Sequence, residues 1–311
     1  MKNYMLFGPL LSRRLGISLG IDLMPFKICT MNCIYCESGN SEYMTLERNE
    51  YVNTIDVINE LGKYLRSFPK LDYITFSGRG EPTLHSKISE ITRYLKSKFP
   101  AYKLALLTNG SLFFRNDVRS DCMDYDLVIP SLDAVSPDTF QKINRPHEEL
   151  SNIKIINGLN KFRNEFDNMI WLEVFIIPGI NDSIEELTLL KETIKFISPD
   201  KVQLNTLDRP GQSDNVKRAT NNTLLKIVKF FDPIHTDIIS YYNYPIRIPE
   251  NVQISLSQIL SLLERRPCTF YELSRILGFN KSRLNKQIQT LLTDKLITTK
   301  ETAHGKYFVH C

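Results

Sequence analysis

Cys29-Thr30-Met31-Asn32-Cys33-Ile34-Tyr35-Cys36 sets three thiols within eight residues. Three thiolates so close can wrap one metal centre. A structural zinc site wants four ligands, usually as two pairs. Here Cys122, Cys268 and Cys311 are remote, and the nearest histidine, His85, lies far downstream. An iron–sulfur cluster is held by cysteine thiolates, and an incomplete ligand set leaves one iron open to bind something else. The three distant cysteines are too dispersed for a second cluster, and buried or idle thiols are the expectation for them. Six cysteines in 311 residues are far below disulfide-scaffold density, which suits a reducing compartment.

Outward from this segment the body reads as alternating strands and helices. Strands are expected at Ser18–Leu23, Asp72–Phe76, Lys103–Leu107, Asp126–Ile129, Ile170–Ile177 and Lys201–Leu204. Amphipathic helices are expected at Thr54–Ser67, Ser86–Lys98, Glu149–Glu165, Ser183–Ile197 and Thr220–Phe230, and Ser136-Pro137-Asp138 opens another. This alternation predicts an α/β fold with a parallel sheet, either a partial (β/α)6 barrel or a doubly wound sheet. Hydrophobic residues are 42% and charged residues 24%, an ordinary globular composition. No apolar run approaches the roughly 18 residues of a membrane span, so a cytoplasmic protein with no membrane partner is expected.

Residues 241–251, with Pro245 and Pro249, read as a linker between a domain at 1–240 and another at 252–311. The second shows three helices, Leu256–Glu264, Phe270–Leu277 and Ser282–Leu292, then two strands, Leu296–Thr299 and Lys306–Val309, around a His304-Gly305 turn. That order predicts a small C-terminal winged-helix domain. Residues 252–311 hold nine Lys and Arg against four Asp and Glu, a net +5, and the remaining 251 residues carry −1. Such asymmetry points to a polyanionic partner or to a solvated face.

Cys-x3-Cys-x2-Cys with Tyr35 before the last cysteine resembles the radical S-adenosylmethionine (SAM) superfamily. The resemblance implies that Cys29, Cys33 and Cys36 ligate a 4Fe-4S cluster whose open iron chelates SAM. One electron, from a donor such as flavodoxin or ferredoxin, then cleaves SAM to a 5′-deoxyadenosyl radical that takes hydrogen from a substrate. Phe7-Gly8-Pro9, Ser12-Arg13-Arg14-Leu15-Gly16 and Ser18-Leu19-Gly20-Ile21-Asp22 look like the opening of a subgroup of iron–sulfur oxidoreductases related to wyosine-type tRNA-modifying enzymes. That likeness covers most of the first 240 residues and makes a tRNA base a candidate substrate. Those enzymes carry further N-terminal cysteines, and this chain has none before Cys29.

Gly78-Arg79-Gly80-Glu81, after the second strand, resembles the Gly-Gly-Glu motif that holds the SAM amino group, with Arg79 in place of the middle glycine. The resemblance also places Tyr35 beside the adenine, and Asn109, Ser131 and Asp133 at the SAM ribose and carboxylate. Glu81 also suits helix initiation, and Asn109, Ser131 and Asp133 suit ordinary turn chemistry. Strand alternation turns Glu173, Gln203 and Asn205 to the face opposite the apolar one, into a cleft, where Asn205 is expected to touch SAM. A mid-strand Glu is costly to bury without a partner. Arg13 and Arg14 could clamp a phosphate or carboxylate. The rival reading is an iron–sulfur or redox-sensing nucleic-acid-binding protein that uses the winged helix, which could equally dock a protein.

Overall fold

The computed structural model describes residues 5–213, 215–239, 256–277, 281–302 and 305–311. The chain opens with a hairpin of β1 (Leu6–Ser12) antiparallel to β2 (Gly16–Ile21). Two short strands, β3 (Ile28–Cys29) and β4 (Tyr43–Met44), bracket the remaining cysteines. Alternation then runs α1 (Thr54–Leu65), β5 (Tyr73–Phe76), α2 (Ile88–Lys98), β6 (Lys103–Thr108), α3 (Asn116–Asp121) and β7 (Leu127–Pro130). It continues with α4 (Pro137–Asn144), α5 (Asn152–Glu165), β8 (Met169–Phe175), α6 (Ile184–Ile197), β9 (Lys201–Asn205), α7 (Asn221–Phe231) and β10 (Thr236–Ile238).

One sheet takes the order β1-β2-β5-β6-β7-β8-β9-β10, and every pair from β2 onward is parallel. The parallel strands follow one another in chain order with no reversal of direction across the sheet and the order does not close, so this is a partial barrel rather than a doubly wound sheet. All six expected strands are present with ends within two residues of their expected places. The β1–β2 hairpin and β10 extend them. β1 carries Pro9, which confines it to an edge, and β10 has three half-buried residues, too few to show a period.

Period-two alternation sorts the strands onto two cores. Leu19, Ile21, Ile74, Phe76, Leu104, Leu106, Leu172 and Val174 pack outward in the larger core shared with the helices. Ala105, Leu107, Leu127, Ile129 and Trp171 pack inside with Leu15 and Tyr73. Other inward positions are small or polar, among them Ser18, Gly20, Thr75 and Glu173, which leaves interior space.

The C-terminal domain is a winged helix. It comprises α8 (Leu256–Leu263), β11 (Cys268–Thr269), α9 (Phe270–Leu277), α10 (Lys281–Thr293), β12 (Ile297–Thr302) and β13 (Gly305–His310), with an antiparallel sheet β11-β13-β12. Its own core joins Ile259, Leu262, Leu273, Leu284, Ile288 and Phe308. The sequence reading missed β11, a two-residue strand. The linker expected at 241–251 and His304 of the expected hairpin turn lie outside the described residues. α8 and α9 pack against β1, and Leu10 joins the winged-helix core. No described helix is long and apolar enough to cross a membrane.

Candidate active site

A cavity of about 260 Å³ opens where β5, β6 and β7 end. Cys29, Cys33, Cys36 and Tyr35 line one side, and Gly78–Glu81, Asn109, Ser131 and Glu173 line the other. The cysteine segment is pinned by its backbone. Asn32 N donates to Asn144 O at 3.0 Å and Ile34 N to Ile143 O at 2.9 Å, at the end of α4, while Thr45 N donates to Cys29 O at 3.1 Å. Amide groups reach two of the sulfurs: Asn109 Nδ2 lies 3.5 Å from Cys29 Sγ, and Asn144 Nδ2 lies 3.5 Å from Cys33 Sγ. Such donors orient thiolate ligands and tune a cluster.

Burial pushes the Cys29 thiol up to about 12, with Glu81 adding to the effect. Burial and then Asp133 raise Cys33 as well. Thiolates here therefore need a cationic centre to be stable. Among the described residues no three Cys, His, Asp or Glu side chains close around one ion. The three thiols instead share the wall of one cavity. Cys122 and Cys268 are buried elsewhere and Cys311 is exposed.

The Gly78–Glu81 turn is built for close approach. A Cβ on Gly80 would stand 2.0 Å from Ile28 O, so only glycine lets this turn lie against the cysteine segment. Gly78, at φ +155°, sits against the Asp22 carboxylate in the same way. Glu81 is 2% exposed and accepts from Thr83 N at 3.0 Å, Thr108 Oγ1 at 2.6 Å and Asn109 N at 2.8 Å. It caps the turn Pro82–Leu84 and clamps the end of β6. Its carboxylate braces the site, so helix initiation and a role at the cavity wall coexist.

Two expected residues stand outside the lining. Asp133 is buried, accepting from Tyr35 Oη at 2.6 Å, Asn144 Nδ2 at 2.8 Å and Phe175 N at 2.9 Å, and burial raises its pKa to about 6. It aligns Tyr35, whose ring stacks on Phe175 with centroids 3.9 Å apart. Asn205 turns its Oδ1 to Thr206 N at 3.0 Å.

The mid-strand Glu173 does have a partner, and it is Arg14, which also donates to Gln203 Oε1 at 3.3 Å. Arg13 pairs with Asp208. The Arg pair thus clamps carboxylates of this chain, because the hairpin carries both guanidiniums against the barrel interior.

Sequence reasoning missed Asn144, which sits 111 positions from the cysteine it touches. It also missed two charge relays between the domains. Arg209, fully buried, pairs with Glu37 at 3.0 Å and with Glu272 of α9 at 2.8 Å. Although burial opposes its charge, Glu37 and Glu272 hold the Arg209 guanidinium above its ordinary pKa. Asp22 takes Arg79 at 3.2 Å and Arg265, just beyond α8, at 3.0 Å. Ser38 Oγ adds a bond to Arg265 O at 3.0 Å. Glu37 and Ser38 directly follow the last cysteine.

On α10, Leu284, Ile288 and Leu291 are buried, while Lys281, Arg283 and Lys286 are exposed, and Lys300 and Lys306 are exposed on the terminal hairpin.

Comparison with known proteins agrees with this geometry. The profile of the Radical SAM superfamily matches residues 23–190, and that of the bacterial regulatory protein, arsR family, matches residues 257–299. A UPF0026 protein of Helicobacter pylori is 33% identical over 97% of this chain and 96% of its own length. A protein of Brachyspira hyodysenteriae named GTPase Obg is 36% identical over 94% of this chain, which spans 43% of that protein. The solved structure of a radical SAM methyltransferase from Sphaerobacter thermophilus aligns with a TM-score of 0.57 at 16% identity, over 71% of this chain and 65% of that one.

Proposed function

This chain belongs to the radical SAM superfamily, and from that premise we propose that Cys29, Cys33 and Cys36 hold its 4Fe-4S cluster and that SAM occupies the 260 Å³ cavity. The cluster and SAM supply a 5′-deoxyadenosyl radical for hydrogen abstraction, after one electron from a donor such as flavodoxin or ferredoxin. The chain's own groups do the holding. Gly78 and Gly80 let SAM meet the backbone, Asn109 and Ser131 present polar groups to it, and Tyr35, braced by Asp133 and Phe175, walls its adenine side. Asp133 acts through Tyr35, and Asn205 only shapes the end of β9.

One observation carries this reading: three thiols share a cavity with the glycine turn of β5 and the polar ends of β6 and β7. Anaerobic reconstitution with iron and sulfide, followed by assay of 5′-deoxyadenosine, tests it. Cys29→Ala, Cys33→Ala and Cys36→Ala are each expected to lose bound iron and SAM cleavage, while exposed Cys311→Ala keeps both. Stoichiometric zinc, with no iron uptake, defeats the reading.

The winged helix is the docking module, and the exposed cations of α10 and the hairpin fit a nucleic-acid backbone, RNA being the first choice. Affinity for a tRNA should fall with salt, by roughly one log–log unit per phosphate neutralised. Binding to neither RNA nor DNA at low ionic strength would instead mark a protein-docking domain.

A further inference from the structure

A second cavity, of about 170 Å³, lies between the barrel and the winged helix. The β1–β2 hairpin and the inner faces of β2 and β5 form one wall, and α9 with the turn before it forms the other. The two cavities share Arg14, Ser77 and Leu107 in their linings, so they adjoin at these residues.

The charged lining is cationic: Arg13, Arg14, Arg209, Arg266 and Arg275 against Glu272. Asp208 answers Arg13, Glu173 answers Arg14, and Glu37 and Glu272 answer Arg209. Arg266 differs in that no carboxylate among the described residues pairs with it. Its Nε, like that of Arg209, has no hydrogen-bond partner, and burial and the like charge of Arg209 weigh against its charge more than Cys268, Glu37 and Glu272 favour it. Arg266 is half-buried, and a guanidinium set beside a second arginine with no paired carboxylate is favoured by an anion that meets it. Water shares of about 30 Å³ make the space about six waters large. That suits a phosphate or carboxylate with a few attached atoms, and excludes a folded polymer.

We propose that this interdomain cavity binds the oxyanion of the substrate, a phosphate or a carboxylate, against Arg266, with the rest of the molecule reaching past Arg14 and Ser77 toward the cysteine cavity. The purpose of binding rests on the radical SAM reading, but the binding itself does not. Both domains build the pocket, so the winged helix completes the substrate site as well as docking a partner.

The test uses the full chain without cluster, so that failed SAM cleavage and failed anion binding remain separate results. Thermal unfolding is followed against inorganic phosphate and, in a second arm, acetate, at ionic strength held constant with chloride. Saturable stabilisation by at least one anion is expected, weakened at least tenfold in Arg266→Gln and retained in Lys226→Gln, an exposed position on α7. Unliganded Arg266→Gln should melt no lower than the parent, since it removes a half-buried charge that stands beside Arg209 and pairs with no described carboxylate. If that variant does not fold, Arg266→Lys, which lacks Nε but keeps the charge, takes its place and should also weaken binding. Saturation by phosphate alone assigns a phosphate site; saturation by both assigns a general oxyanion site. No saturation by either anion, or unchanged affinity in the Arg266 variants, overturns the proposal.

Discussion

At the junction of the two domains Arg209 and Arg265 are buried and meet Glu37, Glu272 and Asp22, whereas on α10 Lys281, Arg283 and Lys286 stand in water. The same sign of charge does opposite work in the two places. In the junction, desolvation makes each ion depend on its partner, so losing one partner is expensive. On α10 the dielectric of water screens each ion, and removing one costs the fold little. The basic excess of residues 252–311 is therefore two populations. Arg265 and Arg266 belong to the interface with the barrel, and α10 and the terminal hairpin keep the portion that a polyanion could meet.

The largest expected effect comes from breaking the junction. Arg209→Ala strands Glu37 and Glu272 and should destabilise the protein by about 3–5 kcal/mol, read as a drop in denaturant midpoint. Because Glu37 directly follows Cys36, the same variant should retain less iron after reconstitution than the parent. Equal iron retention would show that the relay is only structural glue. Asp22→Asn keeps the shape but removes the carboxylate charge between Arg79 and Arg265. A loss of about 2 kcal/mol is expected, the scale of a charge-assisted hydrogen bond left unmade. Arg79 lies in the glycine turn, so SAM affinity should fall with it; unchanged affinity would uncouple the turn from the winged helix.

Much of this contrast is invisible from sequence because it is made by long-range pairs. The cysteine spacing and the strand alternation are local patterns, and each reappears in the structure. The need of Glu173 for a partner was readable, since a Glu in an apolar strand must be answered. That Arg14, 159 positions away, answers it was not. Asn144 and Arg209 carry no local signature at all: an Asn ending a helix and an Arg in a loop are ordinary. Asp133 was legible as polar at a strand end, but its outcome turned on Tyr35 and Asn144 reaching it first. Equal counting of cations failed for the same reason, because burial, not residue type, decides whether an Arg is a brace or a surface.

The smallest effect on stability should come from α10, and there the readout that matters is binding. Arg283→Gln and Lys286→Gln replace exposed cations on a helix whose core contacts are Leu284, Ile288 and Leu291. Each should shift unfolding by no more than about 0.5 kcal/mol. If α10 meets a phosphate backbone, each should also lower tRNA affinity across all sequences and reduce the salt slope by about one unit. The two effects should add in the double variant if the residues meet separate phosphates, because neighbouring ions in water couple weakly. An unchanged salt slope in both variants, with tRNA still bound, would move the contact to Lys300 and Lys306 of the hairpin. Repeating the titration with Lys300→Gln and Lys306→Gln then decides between the helix and the wing as the reading element.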